Sequence, residues 1–131
     1  MGGIMGNSAA SVVIVGCHSV DHADAEHFLN RWLLVDESGH WRPELYGTEL
    51  SKVEVAIKHG DLIIRAPGML RLDIPMDVIE DDDSVWRQVT VAGRTLTAVD
   101  EGDLAAAWFG NVIGKPCRLV KVHPDEQPLD V

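Results

Sequence analysis

Between residues 53 and 75 the chain alternates apolar and polar side chains with a period of two, and few folds accept such a pattern. Val53, Val55 and Ile57 alternate with Glu54 and Lys58, as in a strand with one face on a core. His59-Gly60-Asp61 supplies a short turn, and Leu62 to Arg65 returns as the second hairpin strand. Ala66-Pro67-Gly68 is a further turn, after which Leu70, Leu72 and Ile74 alternate with Arg71 and Asp73 until Pro75 ends the run. A second hairpin follows, with Trp86 to Val91 and Thr95 to Val99 on either side of Ala92-Gly93-Arg94.

The rest of the chain fits around these hairpins. Residues 1–10 are small, Gly-rich and aperiodic, and read as a mobile start. Val12 to Gly16 is a short apolar run that suits a buried strand, whereas residues 17–30 are rich in His, Asp and Ala without a clear period. Trp32 to Val35 reads as a strand entering the breaker group Asp36-Glu37-Ser38-Gly39. One helix is expected over about 103–113, with Asp100 or Gly102 as its cap and Asp103 in its first turn, where negative charge suits the dipole. Leu104, Trp108, Phe109, Val112 and Ile113 give it an apolar face, and Gly114-Lys115-Pro116 stops it. Cys117 to Val122 forms a last strand before the polar tail 124–131. The expected class is mainly β (α+β), a barrel or sandwich of short antiparallel strands with one helix, in a single domain over 11–123.

At 131 residues and 46% apolar composition, the chain can bury one substantial core. Eleven Lys and Arg against 21 Asp and Glu leave a net charge of −10. Nucleic-acid binding needs a basic surface that displaces counterions, so nucleic acid is excluded as a partner, and so is an anionic membrane. Val12 to Val15 is far too short to span a bilayer, and the absence of a secretory pattern leads to the expectation of a cytoplasmic protein. Cys17 and Cys117 lie too far apart in sequence for a C-x-x-C site and read as buried apolar side chains. The sharper alternative, a reactive thiol at Cys17, has only His18 as a basic neighbour. The acidic run Glu80 to Asp83 reads as a solvated loop.

His18, Asp21, His22, Asp24, Glu26 and His27 form the densest set of potential metal ligands. On a helix, His18 and His22 would share a face, with Glu26 one turn beyond. Residues 19–25 lack the apolar stripe that would dock such a helix, so a solvated polar loop is the better reading and no metal site is assigned. No G-x-S-x-G, P-loop or H-E-x-x-H motif is present, and no catalytic residue is assigned.

Three segments resemble one known family: Asn30 to Gly39 (N-R-W-L-L-V-D-E-S-G), the hairpin return I-I-R-A-P-G-M-L-R-L-D-I-P, and V-D-E-G-D-L-A-A-A-W-F-G-N-V-I-G-K-P-C-R-L-V-K-V. Their order and spacing are similar to the MOSC N-terminal β-barrel domain, and the likeness covers roughly residues 11–123. The resemblance implies a small β-barrel that, in full-length relatives, precedes a MOSC domain. That second domain supplies the cysteine ligating a molybdenum cofactor used for oxidoreductase or sulfur-transfer chemistry. The barrel contributes a Lys-Ser pair and an Arg in a D-R-x-W motif, which receive the cofactor's phosphate end through charge and hydrogen bonds. Here Ser19 matches the Ser and His18 stands for the Lys, while Leu29 and Asn30 stand where the family has Asp and Arg. Arg31 lies one step further on, and Pro43, Glu44 and Leu45 occupy the place of a T-Q-R triplet. The cofactor-binding candidates are therefore His18, Ser19 and Arg31. No cofactor is expected for the chain alone, and a molybdenum cofactor only in complex with a MOSC-domain polypeptide.

Overall fold

The computed structural model describes residues 10–42, 47–76 and 86–122. The start of the chain, Pro43-Glu44-Leu45, the acidic run Glu80 to Asp83 and the polar tail lie outside them. The elements are β1 (Ala10–Ser11), β2 (Val20–Asp21), β3 (Trp32–Val35), β4 (Glu54–Lys58), β5 (Asp61–Arg65), β6 (Leu72–Pro75), β7 (Trp86–Val91), β8 (Arg94–Asp100), α1 (Asp103–Ile113) and β9 (Arg118–Val122). Two 3-10 segments, Ala23–Phe28 and Leu50–Lys52, complete the order. The mainly β class with one helix is observed, and no helix among the described residues is long and apolar enough to cross a membrane.

The strands form antiparallel sheets in the orders β4-β5-β6 and β3-β9-β8-β7, with β1 and β2 as a separate pair. The period-2 residues behave as expected: Val55, Ile57, Leu62, Ile64, Leu72 and Ile74 all face the larger core, which also receives Trp32, Leu119, Trp108 and Phe109. The four-stranded sheet is buried on its other face as well. Leu33, Val35, Val89, Leu96, Ala98 and Val120 form a second core there, so all four residues of β3 are buried.

No ladder among the described residues closes these sheets into a barrel. The chain instead leaves β3 through a turn and bridges the far edge: Trp41 N donates to Thr90 O (2.8 Å) and Thr90 N to Gly39 O (2.9 Å). Asp36 builds that turn, its Oδ1 accepting from the Ser38 and His40 amides and its Oδ2 from Arg42 Nε (2.5 Å). Gly39 is required here, because at φ +86° an added Cβ would stand 3.0 Å from Gln88 O.

Three local expectations are corrected. Val12 to Gly16 is not a strand: a single parallel bridge joins Ile14 to Trp32, and a turn closed by Cys17 N on Ile14 O follows at once. Residues 17–30 are more regular than a loop, holding β2 and the 3-10 segment with Ala25 buried. Leu70 lies outside β6 and is 88% exposed, and Leu104 on α1 is 75% exposed. Ala105 and Ala106 take the buried positions beside Trp108, since a helix lying close on β9 has room for small residues there.

Candidate functional site

The segment carrying His18 and Ser19 is set by its neighbours on both sides. Asn30 N donates to Val12 O (2.8 Å), Trp32 N to Val13 O (3.0 Å) and Val15 N to Trp32 O (2.9 Å), so residues 12–15 run beside the start of β3. The turn after Ile14 then carries the chain toward β4, where His18 N donates to Val53 O (3.1 Å). His18 and Ser19 are both exposed there. Arg31 has a different anchor: its guanidinium approaches Val122 O (3.4 Å) at the end of β9, and Val122 N donates back to Arg31 O (2.8 Å). The structure thus keeps His18 and Ser19 together and ties Arg31 to another strand.

Asn30 adds a feature that counting charges misses. Its φ is +51°, a left-handed conformation that Asn tolerates better than most residues. Besides being uncharged where relatives carry Arg, it is the residue that turns the chain from the 3-10 segment into β3. The site thus presents an exposed imidazole, an uncharged turn residue and a guanidinium at the carbonyl of Val122.

The thiols lie in the interior. Cys17 and Cys117, the two cysteines of the sequence, are both free and buried. Burial pushes the Cys17 thiol up to about 12. Burial likewise takes Cys117 to about 11, against the opposing charge of Arg118. A thiolate is the metal-binding form, and both sites disfavour it. The 18–27 segment likewise lacks the α-helical geometry that would align His18, His22 and Glu26. The His22 Nδ1 accepts from Asp24 N (3.0 Å) at the start of the 3-10 segment, and no three His, Cys, Asp or Glu among the described residues are grouped to hold a metal.

Two polar networks went unnoticed in the sequence. In the first, Asp100 ends β8 with its side chain 7% exposed and accepts from Arg118 Nε (2.9 Å), Arg118 Nη2 (2.8 Å) and Gly102 N (2.8 Å), with Arg87 Nε at 2.5 Å. Arg118 also donates to Asp103 (2.8 Å), so β8, the start of α1 and β9 are joined at one carboxylate. Burial alone would raise the Asp100 carboxyl, but the Arg118 hydrogen bonds, the Gly102 amide and the Arg87 charge hold it below the usual carboxylate range. In the second, Lys121 Nζ lies 5.3 Å from the Trp32 ring centre and 5.7 Å from that of Phe28, and donates to Met76 O. Trp32 Nε1 donates to Glu101 (2.6 Å). Arg118 and Asp100 lie 18 residues apart in sequence and Trp32 and Glu101 69 apart, and the strand register brings them together. An open groove of about 660 Å³ runs along α1, rimmed by Glu37, Asp103, Lys115 and Arg118. Its arginine is already held by two carboxylates.

Comparison with known proteins follows the same lines. The family model described as the MOSC N-terminal beta barrel domain matches residues 14–116. Molybdenum cofactor sulfurase of Danio rerio is 28% identical over 97 residues, which are 72% of this chain and 12% of that protein. Mitochondrial amidoxime reducing component 2 of Bos taurus is 32% identical over 78 residues, 60% of this chain and 23% of that protein. The chain therefore spans well under two thirds of the length of either curated relative. A solution structure of a Bordetella bronchiseptica protein superposes with a TM-score of 0.78 at 45% identity, covering 95% of each chain. With its hairpins, its helix and most of its length matched, the chain belongs to the MOSC N-terminal β-barrel domain family.

Proposed function

We propose that this domain is a non-catalytic accessory or interaction module of molybdenum-cofactor proteins, and that it acts by pairing with a polypeptide that carries a MOSC domain. The observation that carries this reading is the state of its thiols. Cofactor chemistry in the resembling family depends on a metal-ligating thiolate. Both thiols of this chain are buried, and burial raises their pKa values to about 12 and about 11. The altered phosphate positions support the same reading, as His18 stands where the family has Lys, and Asn30, which carries no charge, where it has Arg.

The test is a reconstitution. The purified chain is mixed with a MOSC-domain polypeptide from the same genome that lacks a barrel of its own, and association and reductase or sulfurase activity are followed. The chain alone is expected to be inactive and to associate with that polypeptide at micromolar concentrations. Activity of the chain by itself, or failure to associate, would contradict the proposal.

A further inference from the structure

We infer that the outer edge of β6 is a self-association site, at which a second copy of this chain adds its own β6 antiparallel about a two-fold axis at Leu72. A strand edge offers main-chain donors and acceptors to any strand that reaches it, and folds usually cover such edges. The outer edges of β3, β4 and β7 are met by other segments of the chain. Trp32 N donates to Val13 O (3.0 Å), His18 N to Val53 O (3.1 Å) at the start of β4, and Thr90 N to Gly39 O (2.9 Å). β6 ends its sheet with no strand beyond it among the described residues.

The pairing with β5 fixes which groups β6 turns outward. Met76 N donates to Gly60 O (2.9 Å), so the bonded pairs that continue this register are Ile74 with Leu62 and Leu72 with Ile64. The amide and carbonyl of Asp73 lie between those pairs and point away from β5. Neither makes a hydrogen bond among the described residues, and Arg71, Asp73 and Pro75 are all exposed. The chain is held on both sides of this edge, since Leu70 O accepts from the Trp108 indole (2.6 Å) and Met76 O from Lys121. A backbone fixed before pairing loses little freedom when a second strand joins it.

Charge selects the occupant. A two-fold axis at Leu72 sets Arg71 of each copy opposite Asp73 of the other. Both are outward-facing positions, so each pair exchanges main-chain hydrogen bonds as well as opposite charges. Within one chain Arg71 Nε already lies 2.9 Å from Asp73 Oδ1 on the exposed face. The dimer keeps that pair and sets each carboxylate between two guanidiniums. Moving the axis one residue on, to Asp73, would set that residue against its own copy and Arg71 against Pro75, which has no N–H. Like charges and a lost donor disfavour that register. Each copy carries a net charge of −10, a long-range repulsion that salt screens before it weakens ion pairs in contact.

The test is sedimentation of the full chain over a range of concentrations at about 0.15 M salt, where the screening length is about 8 Å. The wild type is expected to form a dimer. Arg71→Asp and Asp73→Arg, each of which sets like charges opposite one another, should each weaken it roughly tenfold or more. Mixing the two variants in equal amounts should restore association as a heterodimer, since acidic pairs then face basic ones; this recovery also shows that both variants fold. A wild type that stays monomeric, single variants that dimerise as well as the wild type, or a mixture that stays monomeric would each overturn the proposal. A monomeric wild type whose association with the MOSC-domain polypeptide is weakened by Arg71→Asp would assign the edge to that polypeptide and overturn the second copy as its occupant.

Discussion

Asp100 pairs with two arginines, Arg87 and Arg118, and its protonation should be visible in stability. Its folded pKa is depressed below the ordinary carboxylate value of 3.8, so the network contributes fully above that value and is lost as pH falls through the folded pKa. Unfolding free energy should therefore decline from about pH 5 downward. Asp100→Asn should cost about 2–4 kcal/mol near neutral pH and flatten that acid slope, because Arg118 and Arg87 lose their carboxylate. Urea titrations at several pH values check both, and an unchanged acid slope in the variant would assign the loss to other groups. The cysteines run the other way. Their raised folded pKa values favour folding below the unfolded thiol value of 9.0, and that contribution is lost as pH rises through about 11 to 12. Residues such as Asp100 were illegible in the sequence as network members. Asp100 was visible as a candidate cap, but its partners lie on other strands, and only the pairing of Asp100 with Val120 brings Arg118 within reach.

At the scale of elements, local rules carried the hairpins and the helix. α1 spans Asp103–Ile113, and Gly114 ends it in the left-handed conformation that a glycine adopts without strain. Its apolar face was legible only in part, because which positions face β9 depends on how closely the two pack. Trp108→Ala should cost about 3–5 kcal/mol, and a loss under about 1 kcal/mol in a denaturation series would mean that Trp108 does not anchor this helix. Both hairpins turn through two residues with positive φ, His59-Gly60 (52° and 81°) and Ala92-Gly93 (51° and 84°). Asn suits the first of these positions better than a residue such as Ala. Ala92→Asn is thus expected to stabilise by roughly 1 kcal/mol, read as a higher urea midpoint; a lower midpoint would show that the turn is not strained. Val12 to Gly16 misled for a physical reason. Val13, Ile14 and Val15 are core residues, as a strand would require, but the turn after Ile14 leaves one bridge instead of a ladder.

On the scale of the whole molecule, two cores share one sheet, and the Asp36 turn draws the chain from one sheet edge to the other with no closing ladder among the described residues. Mainly β architecture was legible because alternation and turn residues are local; the open sheets among the described residues were not, since they depend on where β3 stops. The His-rich 18–27 segment should be indifferent to zinc, because His22 already accepts a backbone amide and the segment is not α-helical. A strong rise in Tm with stoichiometric Zn²⁺, abolished by His22→Ala, would contradict this by linkage. Restoring the family cations with His18→Lys and Asn30→Arg should raise pterin or phosphate affinity only if the positive φ at position 30 survives the larger side chain. The central claim, that this domain serves cofactor enzymes without itself holding the cofactor, is tested most directly by titrating the unmodified chain with molybdopterin near neutral pH. The account predicts no saturable binding; tight, stoichiometric binding that His18→Ala or Arg31→Ala weakens would contradict it.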